Sequence, residues 1–381
     1  MEFSIFAQGH VPAHESAADP QAEHKRLLRN VDIAVVAERT GVKYVWCPEH
    51  HFLTEYSHMP APEVYLSVVA SRTNRIHLGS AIFNITAPVN HYFRSAERAA
   101  TIDVLSEGRF ELGTGRGSST TEVFGFWREG DDIAITKEMW DEAIREIPKM
   151  FEEGLYGPFK GKFADLPERN VLPKPWQKPH PPLWVAAGSP PTFAKAGEMG
   201  LGTFCFTLGA PERIATLVDN YKTGIASCEE PVGKFKNDNI MGVTNMLCLE
   251  DRNEAFEWAT KIGLNYYSSL AFHWLDNIPK PKGLPEWPDI IPEPTVDVVE
   301  ALSADGTFVV GDPDDCARAV QKWVDIGIDQ LCFSPTTNTL PYEKIVESME
   351  TFGKHVIPQF DKDIVHRTTR QREEWLAKNK G

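Results

Sequence analysis

Three short stretches hold residue types that chemistry could use. The first is "KYVWCPEHHF", residues 43–52. Tyr44 to Cys47 form an apolar run suited to a strand buried on both faces. The chain then turns polar at once, with Glu49, His50 and His51. Histidine titrates near neutral pH, so such a pair offers a general acid or base, a metal ligand, or merely a polar end to a strand. The second stretch is "GTGRGSSTTEVFGF", 113–126. Gly113, Gly115 and Gly117 let backbone approach a ligand, and Arg116 carries a cationic fork suited to phosphate. Taken alone, that spacing also describes a tight turn with a surface arginine. The third is "AAGSPPTF", 186–193, in which a strand runs through Gly188 into Ser189, two prolines and a helix. The Ser189 and Thr192 hydroxyls and the helix-start N–H groups would form an anion site, although an N-cap serine reads the same way. Together with Arg116, this third stretch favours a cofactor bearing a phosphate.

A metal centre would need more ligands. His10 and His14 follow the first strand, but no HxH is present and no carboxylate stands at a strand end in a hydrolase pattern. No metal is therefore expected.

These residues need elements to position them. Apolar strand-like runs occur at 2–8, 43–49, 76–85, 109–115, 182–188, 201–209, 239–251 and 328–335. Helical spacing occupies 24–41, 61–74, 91–108, 136–153, 189–200, 210–228, 252–274, 312–327 and 342–360. Eight strands alternating with helices predict an α/β fold, a (β/α)8 TIM-type barrel spanning 1–381 as one domain. Such barrels place their chemistry at the C-terminal ends of the strands, where Glu49–His51, Ala81–Ile82, Arg116 and Gly188–Thr192 all fall. Two stretches interrupt the alternation. Residues 156–182 read as an irregular insert with room for a small hairpin. Residues 276–299 are proline-rich and read as a lid loop or a spacer.

Composition narrows the field. The chain has 381 residues, 42% hydrophobic and 24% charged, which is a globular balance. A net charge of −15 disfavours nucleic acid and anionic membranes as partners. No apolar run reaches the roughly 20 residues of a membrane helix, and the N-terminus has no basic leader, so a cytoplasmic protein is expected. The six cysteines are scattered without a CxxC pair and read as reduced packing residues.

The stretches "VWCPEHHF", "LGSAIF", "AERAATIDVLSEGRFELGTGRG" with "EVFG" after it, "PLWVAAGSPPT" and "GDPDDCARAVQKWVDIGIDQLCF" carry a resemblance. They cover most of the chain, from Phe3 to about Gln359. In order and spacing they resemble the bacterial luciferase-like flavin-dependent monooxygenases, among them the luciferase α-subunit. The resemblance implies a (β/α)8 barrel that takes FMN as FMNH2 from a separate flavin reductase. O2 would add to form a C4a-peroxyflavin that hydroxylates, or Baeyer–Villiger-oxidises, a small and mainly apolar organic substrate. His50 matches the family's catalytic histidine, whereas His51 reads as structural. Arg116, Ser189 and Thr192 match contacts to the flavin phosphate, and Ala81–Ile82 matches a cis non-prolyl peptide behind the flavin ring. Residues 276–299 match a mobile active-site loop, and a homodimer is implied. Gly188 stands where luciferase has an acidic residue and Gly115 where it has a reactive cysteine, so luminescence does not follow. Two other readings keep the fold: an F420-dependent hydride-transfer oxidoreductase, and a non-catalytic flavin-binding partner subunit, against which His50 argues. Phe6, Trp46, Phe83, Phe206, Tyr266 and Trp274 are candidates either to line the substrate pocket or to fill the core.

Overall fold

In a computed structural model, residues 1–127, 132–206, 209–276, 280–337 and 339–379 are described. Residues 207–208 of the last part of the sixth expected strand, and 277–279 of the proline-rich segment, lie outside them. Eight parallel strands close into a barrel: β1 (Glu2–Phe6), β2 (Tyr44–Cys47), β3 (His77–Ser80), β4 (Phe110–Gly115), β5 (Leu183–Ala187), β6 (Gly202–Cys205), β7 (Ile240–Thr244) and β8 (Gln330–Phe333). Each strand pairs with its sequence neighbour. β1 meets β8 with Glu2 opposite Gln330, and β3 meets β4 with Leu78 opposite Phe110. The barrel matches the sequence expectation strand for strand.

The period of two along each strand decides what fills the barrel. Tyr44, Trp46, Trp184, Phe204, Met241 and Cys332 point inward as one cluster, while Phe3, Ile5, Val45 and Cys47 face the helices in another. Trp46, Trp184 and Phe204 pack with ring centroids 4.8 to 5.2 Å apart and plug the interior. Gly79 makes the plug possible, because a Cβ there would fall 2.0 Å from the Trp46 ring. Trp46 and Phe83 are therefore core residues rather than pocket lining; Phe83 is fully buried with the Arg98 guanidinium over its ring.

Several elements differ from the sequence reading. The run 76–85 breaks at Ala81–Ile82 and continues as the short strand Phe83–Asn84, which pairs with β4. The run 239–251 divides into β7 and Met246–Cys248. The latter pairs in parallel with Val309–Gly311, a three-residue strand too short to stand out in sequence. The long helix expected at 252–274 is two helices, Arg252–Ala259 and Leu264–Trp274, parted at Gly263 with φ +70°. Residues 156–182 hold the antiparallel pair Phe159–Lys160 and Asp165–Leu166. The proline-rich segment passes into the helix Val296–Ala304.

The C-terminal helix Arg367–Lys378 closes the N-terminal mouth of the barrel. There the Thr368 hydroxyl bonds the fully buried Glu111 at 2.6 Å, and the His366 ring stacks on His77 at 3.6 Å. The opposite mouth is open. Ala186, in the middle of the sheet, and Phe206, just past β6, are both exposed, and Ile82 and Val243 are half-buried beside the inner cluster.

Candidate active site

The open mouth collects the strand exits. His50 leaves β2, and its backbone N–H donates to the Met59 carbonyl at 3.0 Å, which ties the following loop back on itself. Its Nδ1 lies 2.9 Å from Oε1 of Glu122. Glu122 sits on the helix Thr120–Phe126 after β4, whose N-cap Ser119 accepts the Glu122 N–H at 3.2 Å. The carboxylate is buried and also receives the Ser118 hydroxyl at 2.8 Å, the Ser119 hydroxyl at 3.0 Å and the His51 N–H at 3.1 Å. Burial pushes this carboxyl up, but the His50 imidazole, the Ser118 hydroxyl and the His51 N–H together hold it at about 2. An ionised carboxylate only accepts, so Nδ1 of His50 donates and Nε2 is the nitrogen left for proton exchange.

His51 has another fate. Its Nε2 lies 3.3 Å from Oε1 of Glu49. Glu49 also receives Asn90 at 2.7 Å and Arg98 at 3.0 Å, and Arg98 reaches Glu63 at 2.7 Å. The second histidine of the pair thus belongs to a buried ionic network that holds the β2 exit in place. His10 is likewise engaged: its Nδ1 lies 2.7 Å from the Glu55 carbonyl. Among the described residues no group of three or more His, Cys, Asp or Glu side chains is placed to hold a metal ion.

The Ala81–Ile82 peptide is cis. The Ile82 side chain lies against Gly115, where a Cβ would sit 2.7 Å from Cγ1. A Cβ at Gly113 would fall 1.9 Å from the Ser80 carbonyl oxygen. Gly113 and Gly115 are thus required by strand packing, with no ligand invoked. Arg116 differs. Its Nη1 donates to the Thr136 hydroxyl at 2.9 Å, burial lowers its pKa, and among the described residues it forms no ion pair with a carboxylate. A half-buried cation with only a neutral partner is a site that an anion would complete.

Ser189 and Thr192 form a capping box. The Gly188 and Ser189 N–H groups donate to the Thr192 hydroxyl at 3.2 and 3.0 Å. The expected ring of free helix-start amides is absent. Pro190 and Pro191 have no N–H, and the Thr192 and Phe193 N–H groups bond the Ser189 carbonyl. The Thr192 hydroxyl is exposed but donates to the Ser189 carbonyl at 2.7 Å, so what these residues offer an anion is the half-buried Ser189 hydroxyl, a Thr192 hydroxyl that would have to turn, and the positive end of a short helix. Around Gly188 the space is open, with nothing within 4 Å of a Cβ position.

Sequence reasoning missed Glu122. Its signal was there: Ser119-x-x-Glu122 has capping-box spacing, which predicts a helix start immediately after the Gly-rich strand. That spacing cannot tell which histidine the carboxylate meets.

The family model described as luciferase-like monooxygenase matches residues 1–330. The oxygenase component of a flavin-dependent trigonelline monooxygenase from Acinetobacter baylyi is 24% identical over 377 residues, 96% of this chain and 98% of that one. An F420-dependent glucose-6-phosphate dehydrogenase from Amycolatopsis mediterranei is 27% identical over 311 residues, 80% of this chain and 87% of that one. Among solved structures, the monooxygenase RslO1 of Streptomyces bottropensis has the same fold, with a TM-score of 0.77 at 20% identity, covering 95% of this chain and 100% of that chain. A closed barrel with its strand exits gathered at one open mouth, and a family match across most of its length, make this chain a member of the luciferase-like monooxygenases.

Proposed function

We propose that the protein is the oxygenase of a two-component monooxygenase, taking FMNH2 from a separate reductase and using O2 to hydroxylate or Baeyer–Villiger-oxidise a small, mainly apolar substrate. The observation that carries this reading is the His50–Glu122 pair at a barrel mouth floored by exposed apolar side chains. Reduced FMN, when bound, supplies the electrons that activate oxygen. In this reading Arg116 neutralises the flavin phosphate, with Ser189 and Thr192 as hydroxyl donors beside it. Ala81, Ile82 and Gly188 form surface against which the flavin rests. Glu122 fixes the His50 tautomer, and His50 Nε2 holds or releases a proton at the reacting centre. The 276–299 segment follows the helix Leu264–Trp274 and serves as a lid that excludes water. The working unit is a homodimer.

The F420-dependent relative favours a second reading, in which the same mouth binds a deazaflavin and transfers hydride without oxygen. A non-catalytic partner subunit is disfavoured, because a buried carboxylate aligned on His50 has no task there. One experiment separates the first two. The protein is mixed anaerobically with FMNH2, then with air-saturated buffer in a stopped-flow spectrometer. A slowly decaying near-ultraviolet band, shorter-lived in His50→Ala, supports the monooxygenase. Reoxidation at the rate of free FMNH2, together with tight F420 binding, favours the second reading.

A further inference from the structure

The outer face of β4 meets the helix Ile135–Met150 in a matched register. Low on the strand the contact is apolar: Phe110 and Leu112 join the same core as Ala143, Ile144 and Ile147. Higher up it turns polar. Trp140 Nε1 donates to the Thr114 hydroxyl at 3.1 Å, and that hydroxyl donates to the Trp184 carbonyl of β5 at 3.0 Å. One step further, just past the end of β4, Arg116 Nη1 donates to the Thr136 hydroxyl oxygen at 2.9 Å. Strand numbers rise as helix numbers fall, so the two elements run antiparallel.

The register has a metric reason. Two strand residues rise about 6.6 Å and four helix residues about 6 Å, so a repeat of two on the strand meets a repeat of four on the helix. Residues 114 and 116 share one face of the strand, and 136 and 140 share one stripe of the helix. Seating Trp140 on Thr114 therefore brings Thr136 to Arg116.

Thr136 is buried, and its hydroxyl proton goes to the Ile133 carbonyl at 2.7 Å. What it turns toward Arg116 is thus a lone pair, fixed in direction by the bond on its other side. A serine or threonine in the first turn that bonds a carbonyl three residues back suits many helices and needs no further role. The second bond, to a guanidinium at the open mouth, is what that local habit does not explain. A guanidinium anchored through Nη1 can still present its Nε–Nη2 edge to two phosphate oxygens.

We propose that Thr136 is a positioning residue for the flavin phosphate: it holds the Arg116 guanidinium in its phosphate-binding pose before the cofactor arrives. The proposal rests on the reading that Arg116 neutralises that phosphate, and it deepens the reading by naming the group that acts through Arg116.

The test titrates the full chain anaerobically with FMNH2 and with reduced riboflavin, followed by fluorescence. The variants are Thr136→Val, Thr136→Ser, Arg116→Ala, and Arg116→Ala combined with Thr136→Val. Valine keeps the branched shape and removes the oxygen. Thr136→Val is expected to weaken FMNH2 binding by about three- to tenfold, the range for ordering one long side chain on binding. Riboflavin binding stays at the wild-type value, which also shows that the variant is folded. Thr136→Ser restores wild-type affinity for FMNH2. Adding Thr136→Val to Arg116→Ala causes no further loss, because the two residues act as one unit. Wild-type FMNH2 affinity in Thr136→Val would overturn the proposal, as would an equal loss for both flavins or an additive loss in the double variant. Each of those results leaves the effect of Arg116→Ala standing. If Arg116→Ala itself binds FMNH2 as wild type does, the phosphate reading falls and the role of Thr136 falls with it.

Discussion

Oε1 of Glu122 serves His50 and His51 at once: it lies 2.9 Å from the His50 Nδ1 and 3.1 Å from the His51 backbone nitrogen. One buried carboxylate therefore sets both the tautomer of the first histidine and the path of the chain through the second. This links the helix after β4 to the exit of β2, and it brings together two stretches that are 71 residues apart in sequence.

Glu122→Gln should lower turnover by about 10²-fold, the low end of what a positioned acid or base contributes. Stability offers a separate readout. Glu122 is held at about 2 in the folded protein, below its ordinary value of 4.5. Its stabilising contribution is thus present above about pH 4.5 and lost as pH falls through about 2. The gap in unfolding free energy between wild type and Glu122→Gln, measured by urea titration, should be open at pH 6 and shrink toward pH 2. A gap independent of pH would show that the carboxylate is not held in its charged form.

Arg116→Ala should weaken FMNH2 binding by about 10- to 100-fold, the range for a hydrogen bond to a charged group. Riboflavin, which lacks the phosphate, should bind wild type and variant alike. Anaerobic fluorescence titration of both flavins checks this. An equal loss for FMNH2 and riboflavin would remove Arg116 from any phosphate site.

Phe52 stands at φ +66°, in the left-handed region, so Phe52→Gly should be more stable than Phe52→Ala by about 0.5–1 kcal/mol. Both lose the ring, but glycine escapes the left-handed penalty of about 1–2 kcal/mol at the cost of about 0.4–1 kcal/mol of unfolded-state entropy. Urea denaturation of the two variants measures the difference. Equal stabilities would mean that the backbone at position 52 relaxes out of the left-handed region.

At the other mouth, burial raises Glu111 to about 8, against the hydrogen bonds from Thr368 and Trp184 and the charge of Arg372. His77, 2.8 Å away, is lowered to about 3 by burial and by the charges of Arg372, Arg109 and Lys43. A protonated Glu111 donating to a neutral His77 Nδ1 satisfies both. The unfolded chain ionises Glu111 near 4.5, so its contribution is complete below that pH and is lost as pH rises through about 8. Glu111→Gln should therefore gain in Tm relative to wild type as pH is raised from 5 to 8, as followed by calorimetry. A Tm difference that stays constant over this range would refute the assignment.

The barrel was legible because its signals are local and repeated. Each strand is an apolar run bounded by polar or glycine residues, and each helix shows its own spacing. The missed elements lacked such signals. Val309–Gly311 is three residues long, and the 252–274 helix breaks at a glycine that the surrounding periodicity masks. The C-terminal helix Arg367–Lys378 is polar, so its pattern does not announce burial. Its docking depends on Thr368 and His366 meeting Glu111 and His77, a contact across more than 250 residues.

By itself the sequence determined which residues stand at strand ends, since period-two burial and the α/β alternation place Glu49–His51, Ile82, Arg116 and Ser189 on one rim of a barrel. It also set the charge and the residue types available for chemistry. Only the tertiary structure decided which of those residues work together. Hydrogen bonding and desolvation act through space, so Glu122 went to His50, Glu49 went to His51 and Arg98, and Arg116 was left without a carboxylate among the described residues. The left-handed seat of Phe52 is of the same kind: Gly125, 73 positions later, makes room for its ring, since a Cβ there would fall 2.1 Å from it.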